Sequence, residues 1–453
     1  MFLLNRFRIS LAGMLMLPVF LVGAQPLDTL SWQGPLTPER AVQLGLAHSK
    51  TLKMAESRAE AAKARTEQAR EKALPDVGLS GTYLYLTQPH VSLKTAPPAG
   101  QEGGSSPLAG LSFSNVHSLM LAQVQASQPL FTGGKIRNAI TSTEFLEKAA
   151  AFQASATRDE VSLQVLQALY QYYTLQQTRT LVQNNLEQAH QRVVDFTGLE
   201  ANGVIARNDL LRAELQEAQV QLTLSGVDNN LKVANYNLNL LLGLPETQPL
   251  ALDTTALFFP QESVTLDGLF ANGLSQRDDL KAAEMRTQSG AYGVRAAKGD
   301  RYPSLALTGA YVNADIPNLI ALTNVVNVGV GLNYSLSGAL FSRHKIQEAQ
   351  AQQAEARWAY EALSDQVKSE INQAFLDYQQ SLEKIRISQK AITQAQENYR
   401  ITKNKYDNSL VLLTDLLEAD VTLLQTQINL ASARAEAAVA YYTLQKASGN
   451  LNY

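Results

Sequence analysis

Cysteine is absent from all 453 residues. The chain therefore has no disulfide and no thiolate chemistry, and an N-terminal lipid anchor built on cysteine is not expected. An excess of one charge is also missing. Against 38 basic residues stand 41 acidic ones, a net charge of −3 that leaves no basic footprint for nucleic acid. Aromatic residues make up 7% and charged residues 17%, while Ala, Gln and Leu fill long stretches free of Gly and Pro. That is the composition of long helices with weakly charged surfaces. No later segment has the roughly 20 apolar residues of a membrane-crossing helix, so any membrane role falls to strands.

Catalytic patterns are missing as well. His48, His90, His117, His190 and His344 are scattered, and no pair has the spacing of a metal-binding helix face. Gly133-Gly134 lacks the context of a phosphate-binding loop and reads as a strand-to-helix turn. With no nucleophile elbow and no Cys/His constellation, the expectation is a protein that is not an enzyme and has no metal site and no cofactor.

Residues 1–24 carry the marks of an export signal. Arg6 and Arg8 precede an apolar run from Leu11 to Val22, and Val22-Gly23-Ala24 supplies small residues for cleavage.

The remainder is two copies of one unit. Gly45-Leu46 followed by Leu52-Lys53 recurs as Gly273-Leu274 followed by Leu280-Lys281, an offset of 228 positions. Lys135-Ile136 pairs with Lys345-Ile346 at 210, and Asp209-Leu210-Leu211 with Asp415-Leu416-Leu417 at 206. Each fall in offset marks an insertion in the first copy. The larger coincides with residues 88–110, rich in Pro and Gly and read as a loop; the four-residue one is expected in the turn near Gly198 to Gly203. The organisation is then a first repeat over 25–243, a linker over 244–264, a second repeat over 265–449 and an end at 450–453.

Each copy reads helix, strand, strand, long helix, turn, long helix. Thr37 with Pro38 opens a helix expected to run to about Ala73, and Thr265 opens its counterpart. Lys135 to Phe196 and Lys345 to Tyr406 contain neither Pro nor Gly, so each predicts a helix of about 60 residues, roughly 90 Å. Return helices start at Asp209 and Asp415 and end at Gly243 and Gly449, where left-handed caps belong.

Strands are expected at about 75–88, 117–130, 303–313 and 325–337. The last is the clearest: Val326, Val328, Val330, Leu332, Tyr334 and Leu336 alternate with Asn, Gly and Ser, as in a tilted strand with lipid outside and water inside. Tyr83, Tyr85, Tyr311 and Tyr334 suit an aromatic girdle. Four strands leave two edges, and unpaired backbone groups in hydrocarbon cost several kcal/mol each. Closure then needs other copies, and three chains giving about 12 strands make the smallest ring with an open interior. The fold class is mainly α with a small β part: a trimeric α-helical barrel continuing a transmembrane β-barrel. A periplasmic coiled-coil adaptor, or a soluble structural coiled coil, remains the alternative. Adaptors require domains of many short strands, which this chain lacks.

In the order of its signals, twice over, the chain resembles the TolC family of outer-membrane efflux and secretion factors, from about Leu36 to Asn450. The resemblance rests on Leu74-Pro75 leading into a strand, on Gln128-Pro129-Leu130-Phe131-Thr132-Gly133-Gly134-Lys135 and on the turn Gly203 to Asp209. It implies a homotrimer in the bacterial outer membrane, extending into the periplasm and docking onto a periplasmic adaptor that is bound to an inner-membrane pump. The docking tip then comprises Gly203, Val204, Ile205, Ala206 and Asp209 in the first turn, and Ser409, Leu410, Val411 and Leu412 in the second. Ser409 stands where the family usually has Gly, so strain or another turn form is expected there. Asp415 and Glu418 match the family's pore constriction, and three apart on a helix they share one face. Val411 occupies a position where some relatives carry a basic latch residue, so no salt-bridge latch is expected.

Overall fold

The computed structural model describes residues 34–85, 87, 118–253, 265–316 and 320–451. The expected export signal, the loop at 88–110 and linker residues 254–264 lie outside the described residues. In chain order the elements are α1 (Pro38–His48), α2 (Lys50–Glu71), β1 (Asp76–Tyr85), β2 (Ser118–Phe131), α3 (Lys135–Ala201), α4 (Arg207–Leu242), α5 (Leu266–Gln276), α6 (Asp278–Lys298), β3 (Ser304–Ile316), β4 (Ile320–Asn333), α7 (Leu336–Asp407) and α8 (Leu413–Ala447). At 67 and 72 residues, α3 and α7 are about 100 Å long. The strands form one antiparallel sheet in the order β1-β2-β3-β4, with β1 and β4 at its edges.

Neither single helix expected before β1 or before β3 is continuous. Ser49 ends α1 with φ −61° and ψ 115° and caps α2 by accepting the Leu52 N–H at 3.1 Å. Arg277 makes the matching break between α5 and α6, with φ −61° and ψ 125° but no side-chain cap of its own. The two breaks are 228 positions apart (277 − 49), so the kink is duplicated with the rest of the unit. No Pro or Gly marks either one; the side chains of Ser49 and Asp279 hold the freed N–H groups instead.

The same duplication explains the paired glycines. A Cβ on Gly45 would stand 2.5 Å from Val165 Cγ2, and one on Gly273 would stand 2.4 Å from Ile371 Cδ1. In each copy the short helix thus lies directly against a β-branched residue of the long one. Val165 and Ile371 are 206 positions apart, as are the buried pairs Val161/Val367 and Tyr172/Tyr378. The four-residue insertion therefore precedes residue 161 and lies within the upper part of α3, not in the turn near Gly198 to Gly203, through which α3 runs unbroken to Ala201.

Two apolar clusters secure the middle of the chain. Leu36, Val42, Val165, Leu166, Leu169 and Tyr170 pack with Leu238 and Leu242; Leu269, Leu280, Val367 and Ile371 pack with Tyr378 and Leu444. Leu36 also joins Leu252 in a parallel bridge, with its N–H on the Ala251 carbonyl at 2.8 Å.

Candidate channel surfaces: sheet face, constriction and helix turns

The pairing register puts most of the apolar positions of the four strands on one face, while Leu84, Leu119, Leu121, Val312 and Val325 fall on the other. Leu332 lies opposite Leu305, Val330 opposite Leu307, Val328 opposite Gly309 and Val326 opposite Tyr311. From there Tyr311 faces Val124 and Gly309 faces Ala126, which in turn meet Leu79 and Val77. On the other face stand Ser80 and Thr82, Gln123 and Gln125, Thr308, and then Asn327, Gly329 and Gly331. Val326, Val328, Val330 and Leu332 are 65–75% exposed, and Leu79 is 81% exposed. Among the described residues this apolar face is left open along the sheet.

Two of the residues assigned to the lipid-facing strand fall outside it. β4 ends at Asn333, so Tyr334 follows the strand and Leu336 is the first residue of α7. The cause is Ser335, whose side chain accepts the Gly338 N–H at 3.0 Å and starts the helix early. At its other end β4 begins at Ile320, ahead of the expected 325, and passes through Asn324 at φ 59°, whose N–H donates to Asn313 Oδ1 at 2.8 Å. Tyr83 and Tyr85 lie at the end of the sheet far from the helices, and Tyr334 at the near end, while Tyr311 sits within the sheet opposite Val326.

At the opposite end of the molecule the two helix turns have one backbone form. After α3 the Val204 N–H reaches the Leu199 carbonyl at 2.9 Å, and after α7 the Leu410 N–H reaches the Lys405 carbonyl at 2.8 Å. Gly203 has φ 71° and Ser409 has φ 60°, so the serine keeps the left-handed form in spite of its Cβ. Val204, Leu410 and Leu412 are 67–72% exposed at these turns. Ile205 and Val411 are half-buried, while Gly203, Ala206 and Ser409 are exposed.

Behind the turns, Phe196, Leu210, Ala213 and Leu413 form a small core, with Phe196 stacked on Tyr406 at 6.1 Å. Burial, and then the nearby Asp209 carboxylate, push the Tyr406 phenol up. Asp415 and Glu418 are exposed, whereas Leu416, Ala419 and Asp420 of α8 are buried on the face turned to the other helices. The Asp415 carboxylate accepts the Leu412 N–H at 3.2 Å, so it also satisfies a donor at the start of its own helix.

Residues 41–244 and 269–450 match the family described as outer membrane efflux protein. The chain belongs to the outer membrane efflux protein family. It is 24% identical over 336 residues to the outer membrane efflux protein BepC of Brucella suis biovar 1 (strain 1330), covering 72% of each chain. To the outer membrane protein TolC of Salmonella enteritidis it is 24% identical over 409 residues, 87% of this chain and 78% of that one. Among solved structures, VceC from Vibrio cholerae superposes with a TM-score of 0.72 at 21% identity, covering 91% of this chain and 96% of the other. The four-stranded sheet and long helices are thus the fold of outer-membrane efflux channels, and this chain is a channel protein of that kind.

In this efflux-family chain the sequence left one contact unread. Arg192 on α3 donates from Nη2 to Asp420 Oδ2 on α8 at 3.0 Å, and Asn185 Nδ2 lies 3.2 Å from Asp420 Oδ1. The pair is nearly enclosed, with side chains 10% and 4% exposed, and the buried Arg192 Nη1 finds no hydrogen-bond partner among the described residues. A salt bridge therefore does tie the two helical hairpins together near the turns, though not at Val411. Its residues stand 228 positions apart (420 − 192), and no local pattern announces either of them.

Proposed function

We propose that three copies of this chain form a passive export duct through the outer membrane, each sheet supplying four of twelve strands and each set of long helices a third of a periplasmic tube. What supports this reading above all is the sheet: a mainly apolar face, and edges at β1 and β4 that pair with no other strand among the described residues. In hydrocarbon such edges must be joined, and only another copy offers the complementary edge. Val326, Val328, Val330 and Leu332 then face lipid while Asn327, Gly329 and Gly331 line the lumen.

At the far end the exposed Val204, Leu410 and Leu412 give the duct an apolar tip suited to the hairpins of a periplasmic adaptor, itself held by an inner-membrane pump. The duct performs no chemistry, so the energy for transport comes from that pump. Asp415 and Glu418 form two acidic rings where the hairpins converge, which favours cations and narrows the entrance. In planar bilayers the parent protein is expected to conduct weakly at rest, and D415A/E418A to conduct several-fold more. Equal conductance of the two proteins would remove both carboxylates from the constriction. Native mass spectrometry in detergent tests the assembly: a monomer would end the proposal.

A further inference from the structure

Charge is balanced over the whole chain, with 38 basic and 41 acidic residues, but not where the sheet meets the helices. The four crossings, residues 72–76, 132–138, 298–303 and 336–345, hold Lys72, Lys135, Arg137, Lys298, Arg301, Arg343 and Lys345 against only Asp76 and Asp300. All seven cations are exposed. Lys135 bonds Asp300 at 2.7 Å and Lys345 bonds its other oxygen, which sets residue 345 level with residue 135 although α7 starts nine positions earlier. Burial pushes the Asp300 carboxyl up, and the two lysines more than offset this and hold it below the usual carboxylate range. Asp300 is shared between two lysines, and Asp76 forms no ion pair with any of the other cations among the described residues. Among the described residues Lys72, Arg137, Lys298 and Arg343 form no ion pair.

Between these cations and the strands lies an exposed apolar collar. It comprises Leu130, Phe131, Tyr302, Leu336, Leu340 and Phe341. On α7, Leu336, Leu340 and Arg343 follow at spacings of four and three, so the apolar stripe turns basic along one side of the helix. Every crossing has this order: apolar sheet, then leucine or aromatic side chains, then Lys or Arg. A surface leaving hydrocarbon through a headgroup layer has the same order, because long basic side chains keep their stems in the apolar zone and their charges at the phosphates.

We propose that this belt binds the phosphate groups of anionic phospholipids in the leaflet nearer the helices. Charge complementarity and continuity with the lipid-facing sheet single out a lipid headgroup over a soluble polyanion, since the cations are spread around the sheet's base instead of gathered in a cleft. The inference rests on the outer-membrane reading, and the test separates the two.

The full-length protein is reconstituted into nanodiscs of phosphatidylglycerol and phosphatidylcholine with identical acyl chains, taken back into detergent, and weighed with its retained lipid by native mass spectrometry. The parent is expected to keep about fivefold more phosphatidylglycerol than its share, and K72Q/R137Q/K298Q/R343Q to keep the two lipids about equally. K384Q/K390Q/K403Q/K405Q, with the same loss of charge far down the tube, should behave like the parent. High salt should erase the preference. An unchanged preference in the belt variant, or an equal loss in the tube variant, overturns the proposal. Displacement of the lipid by excess inorganic phosphate would overturn it too, by showing a free-anion site. If the fourfold variant does not assemble, R137Q/R343Q alone must at least halve the preference. A parent that enters nanodiscs without preferring either lipid defeats this inference only, whereas one that never enters them defeats the outer-membrane reading itself.

Discussion

The two copies of the repeated unit reach one backbone with different side chains, and the places where they differ show which features the fold demands. Gly203 and Ser409 hold the same left-handed turn 206 positions apart, and Gly243 and Gly449 hold another at the same offset. The turn is required; the glycine is only the least strained way to make it. At the strand-to-helix crossings the outcome reverses. Leu130-Phe131 and Leu340-Phe341 stand five positions before matching Ile residues, yet the first pair ends β2 and the second lies inside α7. Gly133 at φ 61° and Gly134 at φ 77° force a turn in the first copy, and a Cβ on Gly133 would meet the Gly299 carbonyl oxygen at 2.6 Å. Arg343 and His344 carry on the helix that Ser335 has already capped.

The largest effect is expected where the copies touch. R192A removes the cation from a buried pair and leaves the Asp420 carboxyl with Asn185 alone, which costs about 3–5 kcal/mol. Thermal scans in detergent should show that loss, while K384A, which breaks the exposed Lys384–Glu436 pair, changes stability by less than about 1 kcal/mol. R192M/D420L should lose less than R192A. If R192A melts with the parent, the ion pair does not secure the two hairpins, and the apolar contacts between α3 and α8 hold them without it.

Next in size are the paired glycines. G45A and G273A each drive a methyl into a β-branched side chain, at a cost of about 1–3 kcal/mol. G45A should cost more, since Val165 Cγ2 has no further bond about which to swing away, whereas Ile371 Cδ1 ends a longer side chain. Equal losses, or the opposite order, would break the equivalence of the two contacts.

A smaller effect separates two matched aspartates, Asp159 and Asp365, again 206 apart (365 − 159). Asp365 is exposed beside Lys368. Burial, and then Asp278, push Asp159 up to about 6. A carboxyl raised in the folded state holds its proton more tightly there than when unfolded, so it contributes stability at pH below about 4 that is lost as pH rises to about 6. Melting temperatures from pH 4 to 8 should show that D159N removes this decline and gains about 1 kcal/mol at pH 7 after solvent screening.

Smallest is the exchange at the turns. S409G should stabilise by about 0.5–1 kcal/mol and G203S should destabilise by a similar amount, read as opposite shifts in melting temperature. Shifts of the same sign would mean that the turns differ in more than their cap.

Much of this was legible in the sequence, because the signals are local. Runs without Pro or Gly gave α3 and α7, and period-two alternation gave β4 from Val326 to Leu332. Three features were not. Tyr334 and Leu336 continue the alternation but lose to the Ser335 cap, a competition between two local preferences that a periodicity does not weigh. The breaks at Ser49 and Arg277 need only a side-chain cap, and neither residue is a helix breaker. Arg192 and Asp420 meet only once α3 and α8 are packed. The apolar face of the sheet is intermediate: β1, β2 and β3 alternate weakly, and only the register adds their small stripes into one surface.

The extra four residues in upper α3 show how such a long helix can grow. At about 100° per residue, four positions turn a helix by about 400°, so everything below the insertion stays within about 40° of its original facing. One or two residues would have rotated the buried seam toward solvent. A rod that touches its neighbours along one narrow strip can therefore change length without turning that strip away only in increments near one full turn.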